Sequence, residues 1–505
     1  MKRTPRDRLK DLTDFTSSAG FTPSLDQLWR DISSNDDSID HSKTLENLLV
    51  AQNVLRPLKS NVVSSEEDVE AANALYAWLA RISLPAAEFA DSLEAAYSDN
   101  KEKSRPLTET LRNSQVRLSL GVAVLGYLNN AFPLDGADNA VDVVTSLASF
   151  TSERDPWTTA ETRQIALSVL ESCLCSRDGA LGRSLWPVLE DVLKSRIKPL
   201  FAKTKNPAIT AAGRKNFHPP PRPRFDMAAM DPETKPWKFG DVYATTVLEW
   251  ILSRYLVEAH FPLLVPAILA LIDDESLPFK VRGCSLLSMF LTPLKEGHSD
   301  ILQRTNLSSV FEDALVPCFL SIPTITPEDE SLQLLGAAYP ALLSVLRIRY
   351  QNASSEQVKE QKTAKTNRDI YIRHVANILR TNVIPSFHHI SSTTVAEDSL
   401  IASFPFPRLS TFLLEQINTL LPELGIHTTK YLQEIIPPVC TALANPFGPA
   451  HPPLLLAAVA TARCVILNAH PRIWRWRGEL LGALCDCWSH VIDEEDQFVE
   501  QAKKP

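Results

Sequence analysis

Few residue constellations in this chain have the types and spacing that chemistry needs. Two Cys-x-Cys pairs, Cys173/Cys175 and Cys485/Cys487, and the adjacent His388-His389 are the candidate metal ligands. Zinc sites usually space paired thiolates two to four residues apart, so that both reach one tetrahedral ion. On a helix, positions i and i+2 point about 200° apart, so neither pair chelates well. Both pairs read instead as small buried hydrophobes, and His388-His389, beside Ser386 and Ser391, as a surface or capping pair. The glycine-rich phosphate cradles Gly-x-Gly-x-x-Gly and Gly-x(4)-Gly-Lys-[Ser/Thr] do not occur. Neither do His-Glu-x-x-His, Gly-x-Ser-x-Gly or the kinase catalytic-loop signature. No catalytic, metal or cofactor-binding residue is assigned, and the chain reads as a non-enzyme without a cofactor.

What remains are residues suited to binding. Trp474-Arg475-Trp476-Arg477 groups the two residue types that dominate protein–protein hot spots. Between Val192 and Phe225 there are nine Lys/Arg and no Asp/Glu, ending in His218-Pro-Pro-Pro-Arg-Pro-Arg-Phe225. The prolines exclude helix and favour polyproline II. The segment suits an acidic partner or a polyproline-binding module, or else a plain tether or strap. Its aromatics, Phe201, Phe217 and Phe225, are too sparse for base stacking, and no direct nucleic-acid binding is expected.

The elements that must position these residues are helical. Apolar residues recur at three and four, which places them on one stripe of a helix. Leu45, Leu48, Leu49 and Leu55 define one such face; Val69, Ala72, Tyr76, Leu79 and Ile82 a second; Leu118, Val122, Leu125 and Leu128 a third. No run of strict alternation calls for a strand. Only 15 of 505 residues are glycine, about 3% against an ordinary 7%, while 36 are proline. That argues against all-β and glycine-loop folds. The chain exceeds the roughly 250–300 residues at which single cores stop growing.

The organisation expected is an N-terminal helical region over 1–200, a basic Pro-rich linker over 201–236, and a HEAT-like repeat region over 237–505 with a flexible insertion at 351–368. Phe261–Asp274 followed by Pro278–Leu291 has the layout of a HEAT hairpin. Asp273 and Asp274 form its turn, and Arg282 lies early in the second helix, where it would anchor that turn. Val265-Pro266, Val316-Pro317, Ile384-Pro385 and Ile436-Pro437 recur at about 50 residues once the insertion is subtracted, which is close to the HEAT and armadillo periods. The expected fold class is therefore all-α, a HEAT/armadillo-like α-solenoid of helical hairpin repeats.

The basic N-terminus has no apolar stretch after it and does not read as a signal peptide. The longest apolar run, Phe261–Ile272, is shorter than the roughly 20 residues of a membrane span. With eight cysteines and a net charge of −9, the chain reads as intracellular, with no attraction to anionic membranes.

Several segments in order resemble one family: Arg222-Pro-Arg-Phe225, Lys235-Pro-Trp-Lys238, Leu271-Ile-Asp-Asp-Glu-Ser276 with Lys280-Val-Arg-Gly-Cys284, and Ser309–Pro317. Glu328–Leu335, Glu423-Leu-Gly-Ile-His427, Ala444-Asn-Pro-Phe-Gly448 and Pro452–Ala458 continue the series. They resemble the fungal branch of the Tel-two-interacting protein two family, a subunit family of the TTT co-chaperone complex, over about 215–490. The resemblance implies a non-catalytic scaffold, cytoplasmic and nuclear, joined to the two other helical-repeat TTT subunits. It further implies delivery of phosphatidylinositol-3-kinase-related kinases to the Hsp-ninety chaperone through a RuvB-like assembly, and so roles in nutrient (TOR) signalling, the DNA-damage response and telomere maintenance. Docking is expected over 430–490, around Trp474 and Trp476. A karyopherin-like HEAT-repeat transport adaptor is the alternative.

Overall fold

The computed structural model describes residues 24–35, 41–58, 66–96, 108–134, 139–174, 186–204, 206–210, 213–219, 231–254, 260–350, 360–392 and 404–502. Among them the chain is all-α: helices and turns, one isolated antiparallel bridge between Ile209 and Lys215, and no strand. It divides into two compact units, 1–271 and 272–505.

The first unit contains α1 (Leu25–Asn35), α2 (His41–Leu55), α3 (Glu66–Ile82), α4 (Ala90–Ala96), α5 (Glu109–Ala131), α6 (Ala140–Ala148) and α7 (Ala160–Leu174). After these come α8 (Trp186–Asp191), α9 (Lys198–Phe201), α10 (Pro236–Phe239), α11 (Ala244–Arg254) and α12 (Phe261–Ile272), whose last residue opens the second unit. Helices α2, α5 and α7 pack in one row, and α1, α3, α6 and α11 in another. That two-layer order is compatible with an α-solenoid. Leu118, Val122, Leu125 and Leu128 are all fully buried, as their spacing predicts. Two predicted core positions are exposed, Leu49 at 41% and Val69 at 46%, and Leu45 and Ile82 are half-buried. In α2 the inward stripe runs through Thr44, Asn47, Leu48, Ala51, Val54 and Leu55, which leaves Leu49 on the far side.

The second unit contains α13 (Leu277–Glu296), α14 (Ile301–Thr305), α15 (Leu307–Leu315), α16 (Glu328–Arg349), α17 (Glu360–Ile378), α18 (Ile384–Ser392), α19 (Pro407–Leu424), α20 (Leu432–Leu443), α21 (Pro452–Ala469) and α22 (Arg477–Ala502). Helices α13, α16, α19 and α21 pack successively in one layer, and α18, α20 and α22 in the other. By length and composition alone, α16 and α21 are apolar enough to cross a membrane; both pack within this unit. The longest uninterrupted apolar run missed them because each carries isolated polar residues.

Helix starts are secured across the layers as well as locally. The first turn of a helix leaves backbone N–H groups without partners. At α1 the Asp68 carboxylate of α3 accepts from the Leu25 N–H at 2.9 Å and from the Ser24 hydroxyl at 3.1 Å. At α19 Glu328 of α16 accepts from the Leu409 N–H at 2.9 Å, and Asp329 beside it pairs with Arg408. Asp and Glu in the first turn of one helix thus cap the first turn of its neighbour, which locks the two in register.

Prolines are handled by local widening. The π turns Val192–Ile197 and Leu379–Val383 each lead into a helix whose second residue is proline, Pro199 and Pro385. Proline offers no N–H and its ring needs room against the carbonyl four residues back, which the wider turn provides. The four hydrophobe–proline pairs occupy unlike positions: Pro266 and Pro437 inside helices, Pro317 at the start of a 3-10 turn, Pro385 after the π turn. They are not equivalent points of one repeat.

Residues 351–359 of the expected insertion lie outside the described residues, and from Glu360 onward the segment is α17. The stretch is polar but contains no Gly or Pro, and Glu, Gln and Lys are good helix formers. Of the basic Pro-rich segment, residues 220–230, including the core of the polyproline run, lie outside the described residues. Its two ends are tied to the first unit. Phe201 stacks on Trp237 with centroids 5.4 Å apart and planes at 13°. The Thr204 hydroxyl donates to the Thr234 carbonyl at 2.9 Å. Gly213, at φ +67°, turns with its Cα hydrogens against Pro262.

Candidate partner interface

Buried ionisable groups in this protein serve packing. Asp155 is buried and accepts the Thr246 hydroxyl at 2.5 Å; burial pushes its carboxyl well above the usual range. In the second unit Arg347 donates to Glu423 at 2.6 Å while the Tyr371 hydroxyl donates to the other carboxylate oxygen at 3.1 Å, joining α16, α17 and α19. Burial and the Glu423 charge push Tyr371 up to about 12. Arg349 pairs with Glu312, and Arg380 grips both oxygens of Glu434 at 2.9 and 2.8 Å while lying over the Tyr431 ring. Asp155 ties the turn before α7 to α11, and the ion pairs of the second unit join helical segments to one another.

The Asp273–Ser276 turn between α12 and α13 is built as a capping device. Asp274 is buried, and its carboxylate accepts the Ser276 N–H at 2.9 Å immediately before α13. Arg282 is 4% exposed on α13, and burial pushes its guanidinium down to about 9. The cysteines divide by environment. Cys284 and Cys318 are buried, whereas Cys485 is exposed and Cys173 and Cys487 are half-buried. The reading of both Cys-x-Cys pairs as buried hydrophobes therefore fails at Cys485: at i and i+2 one side chain faces out when the other faces in. Cys175 lies outside the described residues. His388 and His389 are both exposed, and His389 Nε2 lies 3.1 Å from the Pro323 carbonyl. Among the described residues no group of three or more His, Cys, Asp or Glu is arranged to hold a metal ion.

The surface that lacks an internal explanation lies at the C-terminal end of the second unit. Helix α21 buries Leu454, Leu455, Ala458, Ala462 and Val465 against α19 and α20. Its opposite side carries Leu456, 70% exposed, and Leu467, 65% exposed, with Val459, Ile466 and the exposed Arg463 between them. Helix α22 touches α20 through one side and turns Leu481 and Trp488 outward, at 60% and 68% exposure. Between the two helices, the 3-10 turn Ile473–Trp476 places Trp474 at 60% exposure, with the Arg475 guanidinium 5.6 Å from its ring centroid. Trp476 is half-buried, and Arg475 and Arg477 are exposed.

All four tryptophan and arginine candidates thus sit on one turn beside this apolar surface. Leu456, Leu467, Leu481 and Trp488 were missed by sequence reasoning. The signal was available in Pro452–Ala469, where Arg463 is the single charged residue, so that the side around it is left mostly apolar. A smaller outward apolar group, Val316, Leu320 and Ile325, flanks the 3-10 turn before α16.

Comparison with known proteins gives one match. The model of the family described as Tti2 family matches residues 143–450, which is 308 of the 505 residues. The match begins earlier than the resemblance read from the sequence and ends before α21. No curated protein and no solved structure matches.

Proposed function

We propose, from the premise that this chain belongs to the Tti2 family, that it works by binding, as a non-catalytic scaffold subunit of the TTT co-chaperone complex. Family membership carries the complex-subunit role. The finer reading is that the chain helps the two other helical-repeat subunits deliver phosphatidylinositol-3-kinase-related kinases to the Hsp-ninety chaperone and its RuvB-like assembly, in cytoplasm and nucleus. In that reading Trp474, Arg475, Trp476 and Arg477 belong to a partner contact within 430–490.

One observation carries this reading: a family match over more than half of the chain, in a protein whose polar clusters tie helices together. The exposed apolar surface around Trp474 supports a binding role, since large uncovered apolar patches on a protein mark interaction sites. Affinity purification of the tagged full chain from its own cells, read by mass spectrometry, tests it. Two helical-repeat subunits in stoichiometric yield, with giant kinases at lower yield, are expected. Recovery of a small GTPase with diverse basic cargo would refute it.

A further inference from the structure

Two buried cysteines meet in the second unit although 34 positions separate them in the chain. Cys284 lies near the middle of α13, and Cys318 lies on the 3-10 turn Val316–Leu320 that follows α15. They are 0% and 1% exposed, and the Cys284 thiol donates a hydrogen bond to the Cys318 sulfur. Aromatic pairs hold the elements that carry them. Phe290 of α13 meets Phe311 of α15 edge-on, with centroids 6.3 Å apart. Phe319, next to Cys318, lies 4.8 Å from Tyr339 of α16. The two sulfurs therefore meet in the packed state of the unit.

The surroundings favour a thiolate on one of the two. The hydrogen bond from Cys284 holds the Cys318 thiol below its usual range against its own burial. The Lys280 ammonium, one turn before Cys284 on α13, acts in the same direction, and Asp273 in the preceding turn opposes it. The same hydrogen bond, together with burial, pushes the Cys284 thiol up. A sulfur that ionises beside one that keeps its proton is the pairing that disulfide chemistry uses, since the thiolate is the attacking species. The turn that holds Cys318 is also the part of this region that opens most readily. Its hydrogen bonds are of the poorer 3-10 kind, and its Val316 and Leu320 face solvent at 55% and 69% exposure.

We infer that Cys284 and Cys318 are a redox-modification site, which hydrogen peroxide converts to a reversible disulfide fastening the 3-10 turn to α13. The Cys318 thiolate attacks one peroxide oxygen and the O–O bond breaks. The leaving hydroxide takes up a proton to become water, and Cys318 becomes a sulfenic acid. The Cys284 sulfur then attacks the Cys318 sulfur, and the S–O bond breaks. The departing hydroxide takes the Cys284 proton and leaves as a second water. Two thiols and one peroxide thus give one disulfide and two waters. A dithiol reductant reverses the change by thiol–disulfide exchange. The inference is independent of the complex-subunit reading.

The test exposes the full chain to hydrogen peroxide, blocks the remaining thiols and reads tryptic peptides by mass spectrometry without reduction. Cys284 falls in the peptide Gly283–Lys295 and Cys318 in Thr305–Arg347, and each is the only cysteine of its peptide. The two peptides are expected to appear joined, two hydrogens lighter than their sum, and to separate on treatment with a dithiol reductant. The oxidised chain is expected to melt at a higher temperature, because the bond restricts the unfolded chain, and to lose that gain on reduction. Cys284→Ser is expected to abolish the joined peptide and leave a sulfenic acid on Cys318 that dimedone traps. The joined peptide is read on the unmodified protein, so a variant that does not fold leaves the test standing. Both thiols unreacted at a peroxide dose that oxidises the exposed Cys485 would overturn the inference. So would a link from either residue to another cysteine, or a joined peptide that forms only in urea-unfolded chain.

Discussion

Replacing Trp237 with alanine asks whether the basic segment is a free tether or part of the first unit. The indole is 0% exposed and lies against Phe201, itself 3% exposed, in a near-parallel stack. Its Nε1 is 3.5 Å from the Thr204 hydroxyl, which in turn donates to Thr234. Removing a buried indole costs about 3–5 kcal/mol when the site cannot collapse. The lost stack adds about 0.5–1.5 kcal/mol. For a unit of this size a total near 5 kcal/mol corresponds to roughly 10–20 °C in melting temperature. Calorimetry of the full chain is the assay, paired with limited trypsin digestion. Lys203 at one end, and Arg214 and Lys215 beside the Gly213 turn, are expected to become cleavable in the variant before the helices do. Trp237→Phe keeps the stack and is expected to recover most of the loss. If Trp237→Ala melts with the unmodified protein and is cleaved at the same rate, the two ends of the segment are not fastened, and the argument from the stack is wrong.

Other outcomes follow from single sites. Gly213→Ala is expected to lower the melting temperature, because a side chain at φ +67° costs about 1–2 kcal/mol and its Cβ would lie 2.9 Å from the Pro262 Cα; differential scanning fluorimetry reads this. Arg282→Ala is expected to cost about 2–5 kcal/mol in urea denaturation, the range for emptying a core-sized volume. That exceeds the about 1–2 kcal/mol expected of a single charge-assisted hydrogen bond at a turn. Native alkylation is expected to modify Cys485 fast and Cys284 slowly, since the hydrogen bond with Cys318 and burial raise the Cys284 thiol; peptide mass spectrometry separates them. Burial raises Tyr76, Tyr243, Tyr339 and Tyr371 above their unfolded value of 10.0. Their stabilising contribution is therefore full below pH 10 and lost as pH rises beyond it, toward about 12 at Tyr371. Absorbance titration is expected to show these tyrosines ionising together with unfolding.

Helix content and much of the core were legible because helical periodicity survives any arrangement of helices. Leu118 through Leu128 illustrate this: four residues on one stripe, all buried. Leu49 and Val69 show the limit, because a stripe drawn from apolar residues alone ignores Thr44 and Asn47, which the fold buries beside Leu48. The start of α17 was hidden because a polar stretch between apolar helices reads as a loop, although its residues favour helix. The hydrophobe–proline pairs suggested a repeat that the helices do not keep, since Pro266 and Pro437 lie inside helices, Pro317 at the start of a 3-10 turn and Pro385 after a π turn. At the interface, the tryptophan–arginine turn was visible as a composition. Which side of α21 would be left uncovered was marked only by Arg463, the one charged residue among apolar ones, and the position of α19 and α20 settles it.

The uncovered side of α21 and α22 has a consequence for the life of the chain in the cell. A copy made in excess of its partners displays Leu456, Leu467, Leu481 and Trp488 to the surrounding solution. Those side chains are what chaperones and degradation machinery recognise in unassembled proteins, and solvent exposure of this kind shortens residence. If a partner covers this surface, the level of the chain is expected to follow the level of that partner, and a pulse-chase with and without the co-expressed partner checks it.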